Sequence, residues 1–443
     1  MSKKFLIQES RELSGTVRIS GSKNVVTKAV IAACLTSEPV TLKNVPEISD
    51  IDALLQVIQT IGGTVERSDG QVTITVKEIK NHVISLAEGA RVRTSSMFLS
   101  PLLLRAKIAQ VPNPEGCRLG ARPIERHIEG LEQMGAIIKY ESDDGYYHAT
   151  TEGLIGTTYT FEKNTHTGTE TLIMAATLAE GVTILENAAE EHEIDDLIAL
   201  LNSMGANIER VEKRKIVING VKELHGTTYE IVSDSNELVT FAVLSLLTGG
   251  NILLENANMK NVDVFLDAVR EAGGDYEEVD GKVRFFLKNE LKRTEIMTAP
   301  EPGFKTDWQG PWAILMTQAE GVSVIHETIY ENRFGYVSEL KKMGAQIDFF
   351  EPEVEDPKSL YNFNYEEGTT YKQAIRIHGP KQLHNAVITI SDLRAGATVV
   401  IASLIAKGES VLFGIEHLER GYERFAERLT ALGAKIQEVQ EDY

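Results

Sequence analysis

At 443 residues the chain is too long for one ordinary hydrophobic core, so two or three domains are expected. Its 42% hydrophobic and 25% charged residues fit a soluble globular protein; no apolar run reaches the roughly 18 residues of a membrane span and Met1 to Ser10 carries no signal-peptide pattern, so a cytoplasmic location is expected. The net charge of −20, from 45 basic and 65 acidic residues, argues against nucleic-acid binding, and two cysteines make neither a disulfide framework nor a zinc site.

Taken in order, the chain repeats one short motif six times, a large apolar residue or alanine followed by Gly-Ala or Gly-Gly: Ile61-Gly62-Gly63, Met134-Gly135-Ala136, Met204-Gly205-Ala206, Ala272-Gly273-Gly274, Met343-Gly344-Ala345 and Leu432-Gly433-Ala434. The leading glycines lie 73, 70, 68, 71 and 89 residues apart. That period exceeds the roughly 20–50 residues of solenoid and propeller repeats, so each copy reads as a self-contained αβ unit. Each motif closes an amphipathic helix. Ile51, Leu54, Leu55, Ile58 and Ile61 follow the i, i+3, i+4, i+7 pattern behind a possible cap at Asp50, and Ile194, Leu197, Ile198, Leu201 and Met204 repeat it. Glycine at the close suits a helix C-terminus. Alternating strands follow, as at Gln71 to Val76 and Lys215 to Asn219.

A second, more apolar helix lies earlier in each copy: Asn24 to Leu35, Ser95 to Ala106, Glu170 to Ala179, Glu237 to Thr248, Trp308 to Ala319 and Leu393 to Ala406. Cys34 falls within the first and is expected in the core. These inner helices begin at Lys23-Asn24, Arg93-Thr94, Thr165-His166, Ser235-Asn236, Thr306-Asp307 and Asp392-Leu393-Arg394. Helix N-termini attract anions, and cationic side chains there are poor partners for the dipole. An anionic ligand gathered by these ends is the functional expectation; isolated surface cations are the alternative.

The loop from Asn113 to His127 carries the second cysteine. It sets Cys117 among Arg118, Arg122 and Arg126, with His127 close behind. A thiol beside guanidinium groups is biased toward thiolate and serves as nucleophile or as proton donor. An inert surface loop is the alternative from local sequence alone.

Several segments together resemble one family: Ile19-Ser-Gly-Ser-Lys-Asn24, Gly116-Cys-Arg-Leu-Gly-Ala-Arg-Pro-Ile124, Glu186-Asn-Ala-Ala189, Thr306-Asp307, Glu331-Asn-Arg-Phe334, Asp392-Leu-Arg-Ala395 and Glu419-Arg-Gly-Tyr-Glu-Arg424. They are similar to the enolpyruvyl transferases, specifically the UDP-N-acetylglucosamine 1-carboxyvinyltransferases that open peptidoglycan synthesis. The shikimate-pathway branch is a weaker match because its pattern lacks the loop cysteine. The resemblance implies an α/β fold of two similar domains, each of three repeated αβ units in an inside-out α/β barrel, with the active site between them. Carried onto this chain, residues 22–232 form an inserted domain, and residues 1–21 with 233–443 form the second.

The implied reaction joins the enolpyruvyl group of phosphoenolpyruvate to the 3-hydroxyl of UDP-N-acetylglucosamine, then eliminates phosphate. It needs a base, an acid and a cationic clamp. The resemblance assigns Asp307 as base, Cys117 as acid and Asp392 as a second carboxylate. Lys23, Arg122 and Arg420 would hold the phosphate, and Arg333 and Arg394 the carboxylate of phosphoenolpyruvate. Asn24, Arg93, the run Arg122, Pro123, Ile124, Glu125 and Arg126, then Lys163, Thr165, His166 and Ile329 match positions that meet the substrates. Cys117 is also where the epoxide antibiotic fosfomycin attaches in the family. No metal or other cofactor is implied, since the cations supply the charge a divalent ion would bring.

Alternatives stay open at single residues. Asp307 suits a helix cap as well as a base, and Arg420 with Arg424 could be a charged helix face. The chain also departs from the family pattern. It has Asn113-Pro-Glu-Gly before Cys117, Glu125-Arg126 where Asp-Leu is usual, Lys163-Asn-Thr-His-Thr167 for Lys-Val-Ser-Val-Gly, and Ser235 for an arginine. Most of these touch the nucleotide side, which leaves a different acceptor, or a non-catalytic nucleotide-sugar-binding relative, as alternative readings. An insertion of about 18 residues between Phe350 and Ala374 accounts for the 89-residue spacing, and its aromatics would seat it on its own domain or on a partner.

Overall fold

The protein, represented by a computed structural model, is described over residues 2–113 and 124–441. It divides into two compact units. One is discontinuous and gathers residues 2–20 and 233–441; the other, inserted, holds residues 21–113 and 124–232. At the first passage Gly21 is obligatory, because a Cβ there would stand 1.8 Å from the carbonyl oxygen of Asn44.

The discontinuous unit has three four-stranded sheets. Their orders are Val387–Thr389, Glu409–Phe413, Ser2–Gln8, Lys435–Glu441; Ser14–Arg18, Asn251–Glu255, Lys282–Leu287, Gly274–Val279; and Glu295–Met297, Gly321–His326, Ala374–Gly379, Gln346–Phe350. Each begins with a parallel pair and continues antiparallel. The N-terminal strands are therefore integral to this unit although the inserted unit separates them from the rest in sequence.

The inserted unit follows the same plan. Thr158–Thr160, Val182–Glu186, Lys215–Asn219, Asn207–Glu212 and Thr227–Glu230, Val40–Lys43, Gln71–Thr75, Thr64–Ser68 repeat the parallel, antiparallel, antiparallel pattern. Its third sheet has three strands, Ile108–Pro112, Tyr146–Thr150 and Ile137–Glu141. Here the parallel strand shrinks to a bridge between Val83 and Gln110, with Ile84 N–H donating to Gln110 O at 3.0 Å.

Inside each set of sheets lie the apolar helices. In the discontinuous unit, Ser235–Thr248, Gln309–Met316 and Leu393–Ile405 pack on one another and are buried almost throughout. In the inserted unit, Leu99–Ala106 packs on His166–Thr177, and Lys23–Ala32 packs on the 3-10 stretch Arg93–Phe98. Cys34 is fully buried there, and burial pushes its thiol up to about 12. No helix among the described residues is long and apolar enough to cross a membrane.

The six glycine junctions share one geometry. Gly62, Gly135, Gly205, Gly273, Gly344 and Gly433 have φ between +91° and +110°, where a side chain is strained. In five of them the next N–H reaches back to the helix, as Ala206 does to Leu201 O at 3.0 Å, which satisfies an otherwise orphaned carbonyl. Two local expectations are corrected. The outer helix Ser49–Thr60 starts one residue before Asp50, which is therefore not its cap. The inner helices at His166 and Ser235 start earlier than their apolar runs, because Thr165 and Asp234 cap them.

The 350–374 insertion folds onto its own unit. Asp356 caps the short helix Pro357–Leu360. Tyr361 stacks on Phe363 and Tyr365 with centroids 5.0 and 5.6 Å apart, and its hydroxyl lies 3.1 Å from His326 Nε2. Asn362 N–H donates to Thr328 O at 2.8 Å, so the excursion is tied down at its centre as well as by its rings.

Candidate active site

In the discontinuous unit three helix starts meet at one carboxylate. Asp307 sits in the 3-10 turn Thr306–Trp308 that leads into Gln309–Met316. Asp234 caps the neighbouring helix and so sets Asn236 in its first turn, from where the amide Nδ2 donates to Asp307 Oδ2 at 3.3 Å. Asp392 caps Leu393–Ile405 by accepting from the N–H groups of Arg394 at 2.9 Å and Ala395 at 3.0 Å. That cap places Arg394 Nε 3.2 Å from Asp307 Oδ2. On the other oxygen, Arg333 Nη2 donates to Oδ1 at 2.5 Å, while its Nη1 stands 3.9 Å from Asp392 Oδ1.

Two guanidinium groups are thus buried against two carboxylates; the Arg333 and Arg394 side chains are 5% and 9% exposed. Burial alone would lower both pKa values, but neighbouring anions, Asp307 foremost, outweigh it and raise them. Arg394 also lies over the Tyr422 ring at 5.6 Å, and the Tyr422 hydroxyl is 2.7 Å from Thr240 Oγ1. Asp307 is not the cap of its helix: Lys305 holds that position for the 3-10 turn and Trp308 for the helix Gln309–Met316. Ile329 offers its N–H to the buried Glu327 at 2.7 Å, and Arg420 lies half-buried in the turn after His417.

The inserted unit presents a second set. Lys23 opens its helix behind the Ser22 cap, and its Nζ pairs with Asp50 Oδ2 at 2.7 Å. That pair supplies the local partner that the helix dipole does not, so Lys23 is not an isolated surface cation, and it gives Asp50 its role. Asn24 follows, and its carbonyl accepts from Thr27 Oγ1 at 3.2 Å. Arg93 opens the stretch Arg93–Phe98; Ile124 is buried immediately before the helix Glu125–Gln133, whose first turn carries Glu125 and Arg126. Lys163 and the cap Thr165 precede His166, which begins the helix His166–Thr177.

Charge is concentrated around that last helix. His166 Nε2 lies 3.2 Å from Glu170 Oε1, and Lys28 Nζ lies 3.3 Å from Glu170 Oε2. Burial would lower the His166 pKa, but Glu170 outweighs it and the pKa rises. His127 behaves oppositely: buried in Glu125–Gln133 and 3.1 Å from Thr167 Oγ1, it is pushed down to about 3 by burial, then by Arg93 and Arg126. Burial and Arg126 also lower the pKa of Lys163.

Cys117, Arg122 and Pro123 lie outside the described residues. Of the others, the structure brings Asp307, Arg333, Asp392 and Arg394 into one charged cluster, and Lys163, Thr165 and His166 onto one helix start. Sequence reasoning missed Asn236 as a contact of Asp307, Glu327, Lys28 with Glu170, and Asp50. Asn236 had a signal in its place at an inner-helix start, and Asp50 in its place at an outer-helix start, though as a cap and not as the partner of Lys23.

The sequence as a whole agrees with these local features. A family model described as EPSP synthase (3-phosphoshikimate 1-carboxyvinyltransferase) matches residues 7–429. A UDP-N-acetylglucosamine 1-carboxyvinyltransferase from Actinobacillus succinogenes is 41% identical over 441 residues, covering 99% of this chain and 100% of that one. Another of the same name from Magnetococcus marinus is 39% identical over 439 residues, covering 98% and 99%. The crystal structure of the enolpyruvyl transferase NikO from Streptomyces tendae superimposes with a TM-score of 0.85 at 23% identity, with both chains fully covered, which shows the shared fold. The chain therefore belongs to the enolpyruvyl transferase family, in the group of the UDP-N-acetylglucosamine 1-carboxyvinyltransferases.

Proposed function

We propose that the protein transfers the enolpyruvyl group of phosphoenolpyruvate to the 3-hydroxyl of UDP-N-acetylglucosamine with release of phosphate, the first committed step of peptidoglycan synthesis. The observation that carries the reading is the Asp307 carboxylate held between Arg333 and Arg394, with Asp392 beside them, in a chain 39–41% identical to relatives of that name.

The chemistry assigns each group a task. Asp307 takes the hydroxyl proton as the sugar oxygen bonds to C2 of phosphoenolpyruvate, and Cys117 gives a proton to the methylene, which becomes a methyl group. A proton then leaves that methyl, the double bond reforms, and phosphate departs. Arg333 and Arg394 bind the donor carboxylate, Lys23, Arg122 and Arg420 the phosphate, and Asp392 stays beside Arg333. Asn24, Arg93, Pro123 to Arg126, Lys163, Thr165, His166 and Ile329 contact the substrates. This division of tasks requires both domains, residues 22–232 and residues 1–21 with 233–443, to act on the same two ligands. We place the reaction in the cytoplasm, on small molecules only, without nucleic-acid or membrane partners.

The test is phosphate release from phosphoenolpyruvate with UDP-N-acetylglucosamine in one assay and shikimate 3-phosphate in another. Release with the nucleotide sugar alone is expected. Release with neither, while phosphoenolpyruvate still binds, would mean that the site serves a different acceptor or none.

A further inference from the structure

Glu327 follows the strand Gly321–His326, and its side chain is wholly buried. Among the described residues no cation forms an ion pair with it; hydrogen bonds satisfy it instead. Oε2 accepts from Thr306 Oγ1 at 2.8 Å and Gln309 Nε2 at 2.6 Å. Oε1 accepts from the backbone N–H groups of Ile329 at 2.7 Å and Tyr330 at 3.0 Å. The same backbone is pinned from the other side, where Gln373 Nε2 donates to Glu327 O at 2.9 Å and Tyr330 O at 3.1 Å.

Arg333 favours the charged form of Glu327 from beyond ion-pair distance; a carboxylate so buried still costs more than most folds tolerate unless several donors converge on it. What these donors share is position. Thr306 and Gln309 flank Asp307 on one segment; Ile329 and Tyr330 begin the segment that ends at Arg333. One side chain therefore fastens together the two stretches whose ends meet as the Asp307–Arg333 pair at 2.5 Å. Gln309 is itself held from behind, by the Tyr336 hydroxyl at 2.8 Å, so the fastening does not end in a mobile group.

We propose that Glu327 is a positioning residue for the transfer: it sets the place of the Asp307 carboxylate relative to Arg333 without touching substrate. The inference rests on the reading of Asp307 as the base. Glutamine at 327 has one acceptor oxygen, so its amide nitrogen must face either the side chains, where the Thr306 hydroxyl can turn to accept but Gln309 Nε2 loses its acceptor, or the two backbone N–H groups, which are both released. A misplacement of about 1 Å in a catalytic group costs on the order of 100-fold in rate.

Wild type, Glu327→Gln, Thr306→Val and the double variant are assayed for phosphate release. Glu327→Gln is expected to lose about 10- to 100-fold in kcat with the acceptor KM within about 3-fold of wild type. Thr306→Val, which removes one donor on the Asp307 side, is expected to lose less, and the double variant to be no slower than Glu327→Gln. Losses that multiply, or a folded Glu327→Gln with wild-type kcat, overturn the proposal. Should Glu327→Gln not fold, Thr306→Val decides: lowered kcat at unchanged acceptor KM supports the positioning role, and unchanged kcat overturns it. Inactive wild type overturns the functional reading alone. The positional claim is then read from crystal structures of wild type and Thr306→Val, where Asp307 shifted against Arg333 supports it and an unmoved pair overturns it.

Discussion

Replacing Asp307 separates its proposed chemical role from its structural one. Asp307→Ala removes the carboxylate that faces Arg333 at 2.5 Å and Arg394 at 3.2 Å, while both guanidinium groups stay buried. Removing one partner of a buried ion pair costs about 3–5 kcal/mol. Arg333 keeps Asp392 at 3.9 Å and the Asp307 side chain is 25% exposed, so the loss belongs near the lower end, about 3 kcal/mol. Asp307→Asn keeps the shape and one acceptor toward Arg333, and is expected to cost less than half as much. If Asp307 is the base, however, both variants lose kcat alike, by about 10²- to 10⁴-fold, equivalent to about 3–5 kcal/mol of barrier. Urea denaturation gives the first pair of numbers and phosphate release the second. A folded Asp307→Asn that turns over within about 10-fold of wild type would refute the assignment, leaving Asp307 as a counter-ion only.

Two further outcomes follow from buried groups. His127 has its pKa pushed from 6.5 to about 3, so the unfolded chain takes up a proton below about pH 6.5 that the folded chain refuses until about pH 3. Its contribution is whole above that window and shrinks as the pH falls, by about 2 kcal/mol at pH 5; His127→Gln should flatten the denaturation midpoint against pH between 5 and 6.5. An undiminished acid slope in that variant would remove His127 as its source. Tyr361→Ala, which empties the ring stack and strands His326, is expected to cost about 3 kcal/mol while kcat stays within 2-fold. A large fall in kcat at unchanged stability would instead give the insertion a part in the reaction.

The repeats were legible because their punctuation is physical. A glycine with φ near +100° ends every outer helix, and few other residues take that backbone, so the motif survives in the sequence six times. Helix faces were legible for a similar reason: burial imposes a period, as Ile51, Leu54, Leu55 and Ile58 show. Helix starts were less so. Thr165 and Asp234 precede the apolar runs they cap, and a pattern of apolar residues begins only where the helix has already turned.

The polar wiring behind the site was not legible at all, and Glu327 shows why. Its partners Thr306 and Gln309 lie 21 and 18 residues away, and its other two are backbone N–H groups that no residue type announces. Periodicity reports which face of an element is buried, not which donor it meets there. In sequence Glu327 looks like an acidic residue at the end of a strand, where solvent exposure is the ordinary expectation. Lys28 and Glu170 are the same case, a charged pair from two helices that meets at 3.3 Å inside the core. Such residues are expensive to bury, so when a fold keeps them close to groups that act on a ligand, geometry at the site offers a reason that stability does not.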